Sequence, residues 1–326
     1  MAEITFSFTT KMSRNLLLFI FVLFCQDARS QQDAGYSLYR TNGLYLNPGY
    51  TGSREALSVV TQMRYQWVGV PGAPQTASLG VHAPLPYNAI ALGVLYTYDR
   101  ITRFQTHDVQ AFFAYRITAG KKKDIRISIG LQAGVKNMQA NLQAVEGIEA
   151  DPVFVNGNLW LPSAGAGVYV YSPRFFAGIS CPNILANSYN RLKSSSLFTL
   201  NESIARQYHH LLFTGGYVFR IGKKVQFTPS VLVRYIPRFA PVTADFNVAF
   251  IFIDRFSAGA GYRLNDAYQF NVTGYITRQL RVGYAYDLSI SALSRHSSGS
   301  HELMVGYDFY LKRKKEEGKP SALMFF

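Results

Sequence analysis

The sequence predicts an all-β protein: a closed antiparallel transmembrane β-barrel of about 14 strands, with short turns at one end and longer loops at the other. Three observations carry this. Apolar and polar residues alternate with a period of two in many segments. The connections between those segments alternate between short and mostly longer. The composition combines 48% hydrophobic and 15% aromatic residues with only 16% charged ones, yet the mean hydropathy is +0.01. A water-soluble chain with this apolar content carries about a quarter charged residues, so disorder and an ordinary soluble domain are both poor fits. No stretch of 18 or more apolar residues is present, which excludes a helical membrane protein.

Taken in order, the chain opens on a leader. Lys11 and Arg14 precede an apolar run from Leu16 to Phe24, and Ala28-Arg29-Ser30 supplies small residues at a cleavage site before Gln31. Residues 1–30 are therefore expected to be a cleaved secretory signal. The run is too short to span a bilayer, and Phe24 before Cys25 disfavours lipidation. Cleavage leaves Cys181 alone, so no intramolecular disulfide forms. It also lowers the formal charge of +14 by one. Export makes nucleic acid an improbable partner for this basic chain. Its lysines, at Lys121–Lys123, Lys223-Lys224 and Lys312–Lys315, sit at expected turns or termini, where they meet solvent or anionic lipid head groups.

Next comes Asn47-Pro48-Gly49-Tyr50-Thr51-Gly52-Ser53, a run of turn residues expected to form a fixed periplasmic turn ahead of the first strand. Strands are expected to begin near residues 56, 75, 89, 106, 124, 162, 175, 207, 225, 242, 256, 266, 280 and 301, most of them about 8 to 12 residues long. The alternation is clear in Ile125–Lys136, where Ile125, Ile127, Ile129, Leu131 and Val135 oppose Arg126, Ser128, Gln132 and Lys136. Val225–Tyr235, Ala244–Ile253, Tyr268–Thr277 and Leu303–Tyr310 follow the same rule. In Leu280–Asp287, Leu280, Val282, Tyr284 and Tyr286 face away from Arg281, Gly283, Ala285 and Asp287.

Short turns are expected at 86–88, 119–123, 172–174, 221–224, 254–255 and 278–279, and longer loops at 68–74, 99–105, 140–160, 181–206, 236–241 and 288–299. The short link Arg263-Leu264-Asn265 is an exception on the long-loop side. An even number of strands with this asymmetry fits an outer-membrane barrel whose termini lie on the periplasmic, short-turn side. Tyr65, Trp67, Tyr96, Tyr98, Tyr115, Tyr235, Tyr284, Tyr286, Tyr307 and Tyr310 lie at segment ends, where interfacial girdles sit. A secreted β-sandwich or lipocalin-like barrel is the soluble alternative. Residues 31–311 are read as the barrel with a short N-terminal periplasmic lead, and 312–326 as a basic tail.

Enzyme chemistry finds little support. The six histidines lack metal-ligand spacing, and no G-x-S-x-G or H-E-x-x-H motif or phosphate-cradling loop occurs. Neither a cofactor nor a metal site is expected. A barrel-borne lipid hydrolase remains formally open, because its parts could converge from distant strands.

Two further clusters stand out. Arg64-Tyr65-Gln66-Trp67 ends the first strand and leads through a Gly/Pro-rich loop to Gly72-Ala73-Pro74-Gln75-Thr76, and Ser300-His301-Glu302 opens the last strand. Together with Asn47, Pro48 and Gly52, these make Arg64, Gln66, Trp67, Pro74, His301 and Glu302 the candidate site residues, with turn formation and barrel closure as their plainest role. With the first and last strands adjacent at closure, Arg64 and Glu302 are expected within hydrogen-bonding reach inside the barrel, with Gln66 also facing inward. The rest of the interior, with Arg126, Gln132, Lys136, Arg234, Arg281, Asp287 and Asp308, is expected to be polar, holding water or a plug.

The N-P-G-Y-T-G-S stretch, the R-Y-Q-W…G-A-P-Q-T stretch and the G-Y-A-Y-D…S-H-E end, in this order, resemble the PorP/SprF family of outer-membrane proteins of the Bacteroidetes type IX secretion system. The resemblance covers essentially the whole mature chain. It implies a non-enzymatic outer-membrane barrel that takes part in type IX secretion or in export or attachment of gliding adhesins. It also implies partners: outer-membrane lipid, other secretion components or peptidoglycan-associated periplasmic proteins, and secreted cargo or adhesin. A passive porin or hydrophobic-solute channel is the alternative function.

Overall fold

A computed structural model describes residues 35–86, 89–120, 124–141, 157–185, 208–237 and 241–310. The leader, Tyr87-Asn88, Lys121–Lys123 and the basic tail lie outside the described residues. The strand segments are β1 (Leu57–Tyr65), β2 (Gln75–Pro84), β3 (Ile90–Ile101), β4 (Phe104–Ala119), β5 (Ile125–Ala140), β6 (Gly157–Tyr171), β7 (Phe175–Cys181) and β8 (Leu211–Tyr217). They continue with β9 (Phe219–Ile221), β10 (Val225–Tyr235), β11 (Thr243–Phe252), β12 (Phe256–Arg263), β13 (Ala267–Tyr275), β14 (Leu280–Ser289) and β15 (Ser300–Phe309).

All pair antiparallel, and β1 pairs with β15, which closes the sheet. The segments β8 and β9 both pair with β10 and form a single stave interrupted at Val218, whose N–H turns to Arg174 O at 2.7 Å. The result is a closed barrel of 14 staves. Each stave starts within a few residues of the position that periodicity predicts, because with one face toward lipid and one toward the lumen a one-residue slip would invert every side chain. Along β14, for example, Arg281, Ala285 and Asp287 are buried inside while Leu280, Val282, Tyr284 and Tyr286 face out.

The outward surface is apolar, with Leu131 56%, Phe246 53% and Phe270 50% exposed. No helix among the described residues is long and apolar enough to cross a membrane. Staves β4, β5 and β6 run longer than the expected 8 to 12 residues, extending a three-stranded ribbon at the long-loop end. Asp99–Gln105, expected as a longer loop, is mostly strand. Cross-strand pairing continues to Ile101↔Phe104, and Thr102 reverses the chain with φ +54°.

The largest departure concerns the N-terminal lead. Residues 35–56 do not form a turn beneath the barrel but fill its lumen, with Tyr36, Leu38, Tyr39, Leu44 and Tyr50 all 3% exposed or less. The segment is built from three short 3-10 turns, Tyr39–Thr41, Gly43–Tyr45 and Pro48–Tyr50, which satisfy their own backbone where no sheet ladder is available. It runs from Ser37, level with Glu302 near the long-loop end of β15, to Arg54, level with Asp308 near its short-turn end. The interior is correspondingly less polar than its charged residues imply. Leu44 and Tyr50 pack against Leu95, Phe112, Tyr169, Tyr171 and Phe176 of the wall, and Tyr39 and Leu46 against Leu212 and Leu232.

Candidate functional site

The three sequence clusters converge on the plug and on the seam between β15 and β1. Cross-strand pairing sets Arg64 directly opposite Glu302, and inward parity turns both side chains into the lumen. Arg64 Nη1 lies 3.1 Å from Glu302 Oε2, the contact expected from closure. Its Nη2 donates to Asp287 Oδ2 at 2.7 Å. Glu302 also accepts from the plug backbone, from Ser37 N and Leu38 N at 2.8 Å each, and from Gln62 Nε2 at 2.5 Å. Ser37 Oγ donates to Asp287 Oδ2 at 2.7 Å and receives Arg263 Nη2 and Gln269 Nε2 at 3.1 Å each.

Arg263 and Arg234 share Asp245, each at 2.9 Å, and Arg263 Nη1 also reaches Asp287 at 3.3 Å. Three guanidiniums thus meet three buried carboxylates, whose charges balance, and Arg263 also reaches the half-buried Asp266 at 3.4 Å. Such a cluster is stable only if its members are mutually paired and hydrogen-bonded, and it therefore fixes where the plug must sit.

Asn47 anchors the middle of the plug. It caps the Pro48–Tyr50 turn by accepting from Gly49 N at 2.8 Å, while its Nδ2 donates to wall carbonyls at Val168 (3.0 Å) and Ile179 (3.2 Å). The wall gives way with glycine here: a Cβ on Gly130 would sit 2.2 Å from Gly49 N, and one on Gly167 would sit 2.3 Å from Asn47 Oδ1. Pro48 O takes the Thr51 hydroxyl at 2.7 Å. Gly52 needs its φ of +75°, its N–H goes to His82 Nδ1 at 3.0 Å, and its carbonyl accepts Arg116 Nη1 at 2.6 Å.

At the short-turn end Arg54 makes a two-pronged pair with Asp308, Nε–Oδ1 3.1 Å and Nη2–Oδ2 2.8 Å, and donates to Tyr275 OH at 2.5 Å. Burial pushes the Arg54 guanidinium down, but Tyr275, Tyr50 and Asp308 outweigh it and hold it well above its ordinary value. Burial raises the Tyr36 hydroxyl, so Tyr36 stays neutral against its T-shaped partner Tyr45.

The remaining candidates lie at the long-loop rim. Gln66 follows the end of β1 and opens the loop between β1 and β2, bonding Pro74 O through its N–H at 3.0 Å. Trp67 adopts φ +50°, and its N–H reaches Ser300 Oγ at 3.1 Å. His301 faces outward, with its Nδ1 2.7 Å from Tyr284 OH. Asn47, Pro48, Gly52, Arg64 and Glu302 therefore serve the plug, and Gln66, Trp67, Pro74 and His301 the rim.

Sequence reasoning missed Ser37, Arg54 and the Asp245–Arg263 pair. Inward parity marks Asp245 and Arg263 as lumen charges, but nothing local marks Ser37, whose role comes from a segment with no period. Among the described residues no group of three His, Cys, Asp or Glu is placed to hold a metal. Cys181 is a free thiol, 3.6 Å from Asn183 O.

No curated protein matches the chain. Among solved structures it resembles the CymD monoaromatic hydrocarbon channel, at 11% identity over 83% of this chain and 93% of that one, with TM-score 0.49. A Pseudomonas aeruginosa FadL homologue matches at 10% identity over 83% and 94%, with TM-score 0.46. Acinetobacter baumannii Omp33 matches at 11% identity over 78% and 98%, with TM-score 0.44. The family described as "Type IX secretion system membrane protein PorP/SprF" matches residues 28–307, nearly the whole described barrel and its plug. The chain is an outer-membrane β-barrel and belongs to the PorP/SprF family of type IX secretion system membrane proteins.

Proposed function

We propose that this barrel serves type IX secretion as a non-enzymatic docking platform and not as a conduit. The observation that supports this is the occupied lumen. The 35–56 segment is tied to the wall at both ends, and one pocket between it and the wall, lined by Tyr39, Asn47, Tyr50, Tyr169 and Phe176, holds ≈ 20 Å³, about one water's worth. A passive porin or hydrophobic-solute channel needs an open path, which a wall-to-wall polar lock opposes.

In this reading the short turns and the basic tail meet secretion machinery or peptidoglycan-associated proteins, and the long loops meet secreted cargo or an adhesin outside. A lipid hydrolase gains no support from the histidines: His82 takes the Gly52 N–H, His107 and His301 face tyrosine hydroxyls, and His209 faces Asn183 O. Deleting the gene and comparing secreted proteomes tests the platform reading, with uptake of small antibiotics followed in parallel. Loss of a subset of exported proteins with unchanged uptake is the expected result. Unchanged export with reduced uptake would favour the channel.

A further inference from the structure

The outward face at the long-loop end of the seam carries a graded surface. Register places Tyr286, His301, Tyr65, Gln75 and Arg100 side by side in one row across β14, β15, β1, β2 and β3. The next row toward mid-barrel holds Tyr284, Leu303, Met63, Ala77, Tyr98 and His107, and the row below that holds Val282, Val305, Thr61, Leu79, Tyr96 and Val109. Polarity therefore falls steadily from rim to mid-barrel, the profile of the boundary between head groups and acyl chains. The same constellation occurs on both sides of this surface. Tyr284 OH meets His301 Nδ1 at 2.7 Å with Tyr286 opposite the ring, and Tyr96 OH meets His107 Nδ1 at 2.8 Å with Tyr98 opposite the ring.

Above the row, the β1–β2 loop borders a half-open pocket of ≈ 290 Å³ lined by Tyr65, Gln66, Gly72, Gln75, Arg100 and Thr102, among others. Arg100 is the only charged residue lining it, is exposed, and makes no ion pair among the described residues. The loop is held in one shape: Val68 N bonds Gly299 O at 2.8 Å, and Thr102 N bonds Gly72 O at 2.9 Å. Trp67, Gly69 and Gly72 sit at positive φ, Trp67 at +50°.

We propose that this pocket binds the phosphorylated head group of an outer-leaflet glycolipid. Arg100 takes the phosphate in a charge-assisted contact, Tyr65 and Gln75 border the sugar, and the acyl chains lie down the apolar rows of Met63, Leu79 and Leu303. A soluble anion would use the same cationic pocket but has no use for the apolar rows beneath it. The proposal rests on the outer-membrane placement and is independent of the secretion role.

The test uses the full-length barrel in phosphatidylcholine nanodiscs, with Trp160→Phe introduced so that Trp67 in the pocket wall is the remaining tryptophan, excited selectively over tyrosine. Titrating in phosphorylated lipid A should change Trp67 emission saturably, and Arg100→Gln should weaken half-saturation about ten-fold, the loss of one charge-assisted contact. Arg220→Gln, at an exposed site in β9 near the opposite end, should leave it unchanged. Heat-modifiable migration on gels confirms that each variant is folded. Equal response to dephosphorylated lipid A, or no effect of Arg100→Gln, would overturn the proposal. Full competition by inorganic phosphate would reassign the pocket to soluble anions and overturn the lipid.

Discussion

Glu302 is the residue on which the seam and the plug both depend. It accepts from Ser37 N, Leu38 N, Gln62 Nε2 and Arg64 Nη1 at 1% exposure, so it compensates two plug amides and a buried guanidinium at once. Glu302→Gln removes the charge, replaces one acceptor oxygen with a donor, and leaves Asp287 as the carboxylate paired with Arg64. Breaking a buried pair in this way costs about 3–5 kcal/mol, most of it the penalty of the stranded partner. Glu55 offers the contrast. Its side chain is 42% exposed beside Arg116 and Arg126, so solvent screens the pairs and Glu55→Gln should cost about 0–1 kcal/mol. Urea unfolding in detergent micelles, followed by tryptophan emission, checks both. Equal losses for the two variants would mean that the plug is not locked through Glu302.

Among the elements, the plug and the β5–β6 wall are fitted to each other by glycine. Gly130 and Gly167 are cross-strand partners, and together they leave the space that Asn47-Pro48-Gly49 occupies. A methyl group on Gly130 would meet Gly49 N and Pro48 C at 2.2 Å, both of them backbone atoms that cannot swing aside. Gly130→Ala should therefore cost about 1–3 kcal/mol by overpacking and push the plug off the wall while the staves stay paired. Limited proteolysis reads this as new cleavage within residues 36–55, whereas Gly222→Ala, at a turn with open space around it but a φ of +69°, should create no such site. Proteolysis confined to the surface loops in Gly130→Ala would refute the fit.

The same pair of elements explains what was legible in the sequence. Staves β5, β13 and β14 announce themselves because lipid on one side and lumen on the other impose a strict period of two, and Arg64 could be paired with Glu302 from parity and closure alone. The plug could not be placed that way. Its residues bury on every side, its 3-10 turns have no sustained period, and its turn-rich Asn47–Ser53 run reads equally well as an exposed corner. Its fit is carried by wall residues scattered from Gln62 to Asp308, many of them far away in the chain.

For the whole molecule, the question is whether the lumen is a path. A closed barrel of 14 staves has an interior wider than side chains alone would fill, so an empty one would conduct ions. Here the interior is filled by residues 35–56, held by Glu302 and Asp287 toward the long-loop end and by Asp308 and Arg116 toward the other. The intact protein in a planar bilayer should consequently show no stable ion conductance. Removing residues 36–53 should give steady open steps, because the sheet ladder, including the β15–β1 seam, does not include the plug. If that deletion fails to assemble, moderate urea on the intact protein provides the second readout. Polar contacts that hold the plug yield before a closed hydrogen-bonded ladder does, so urea should open reversible steps that vanish on washout. A conducting intact barrel, or a urea-treated one that stays silent until it unfolds, would show that the segment does not seal the lumen, and the case against a channel would fail with it.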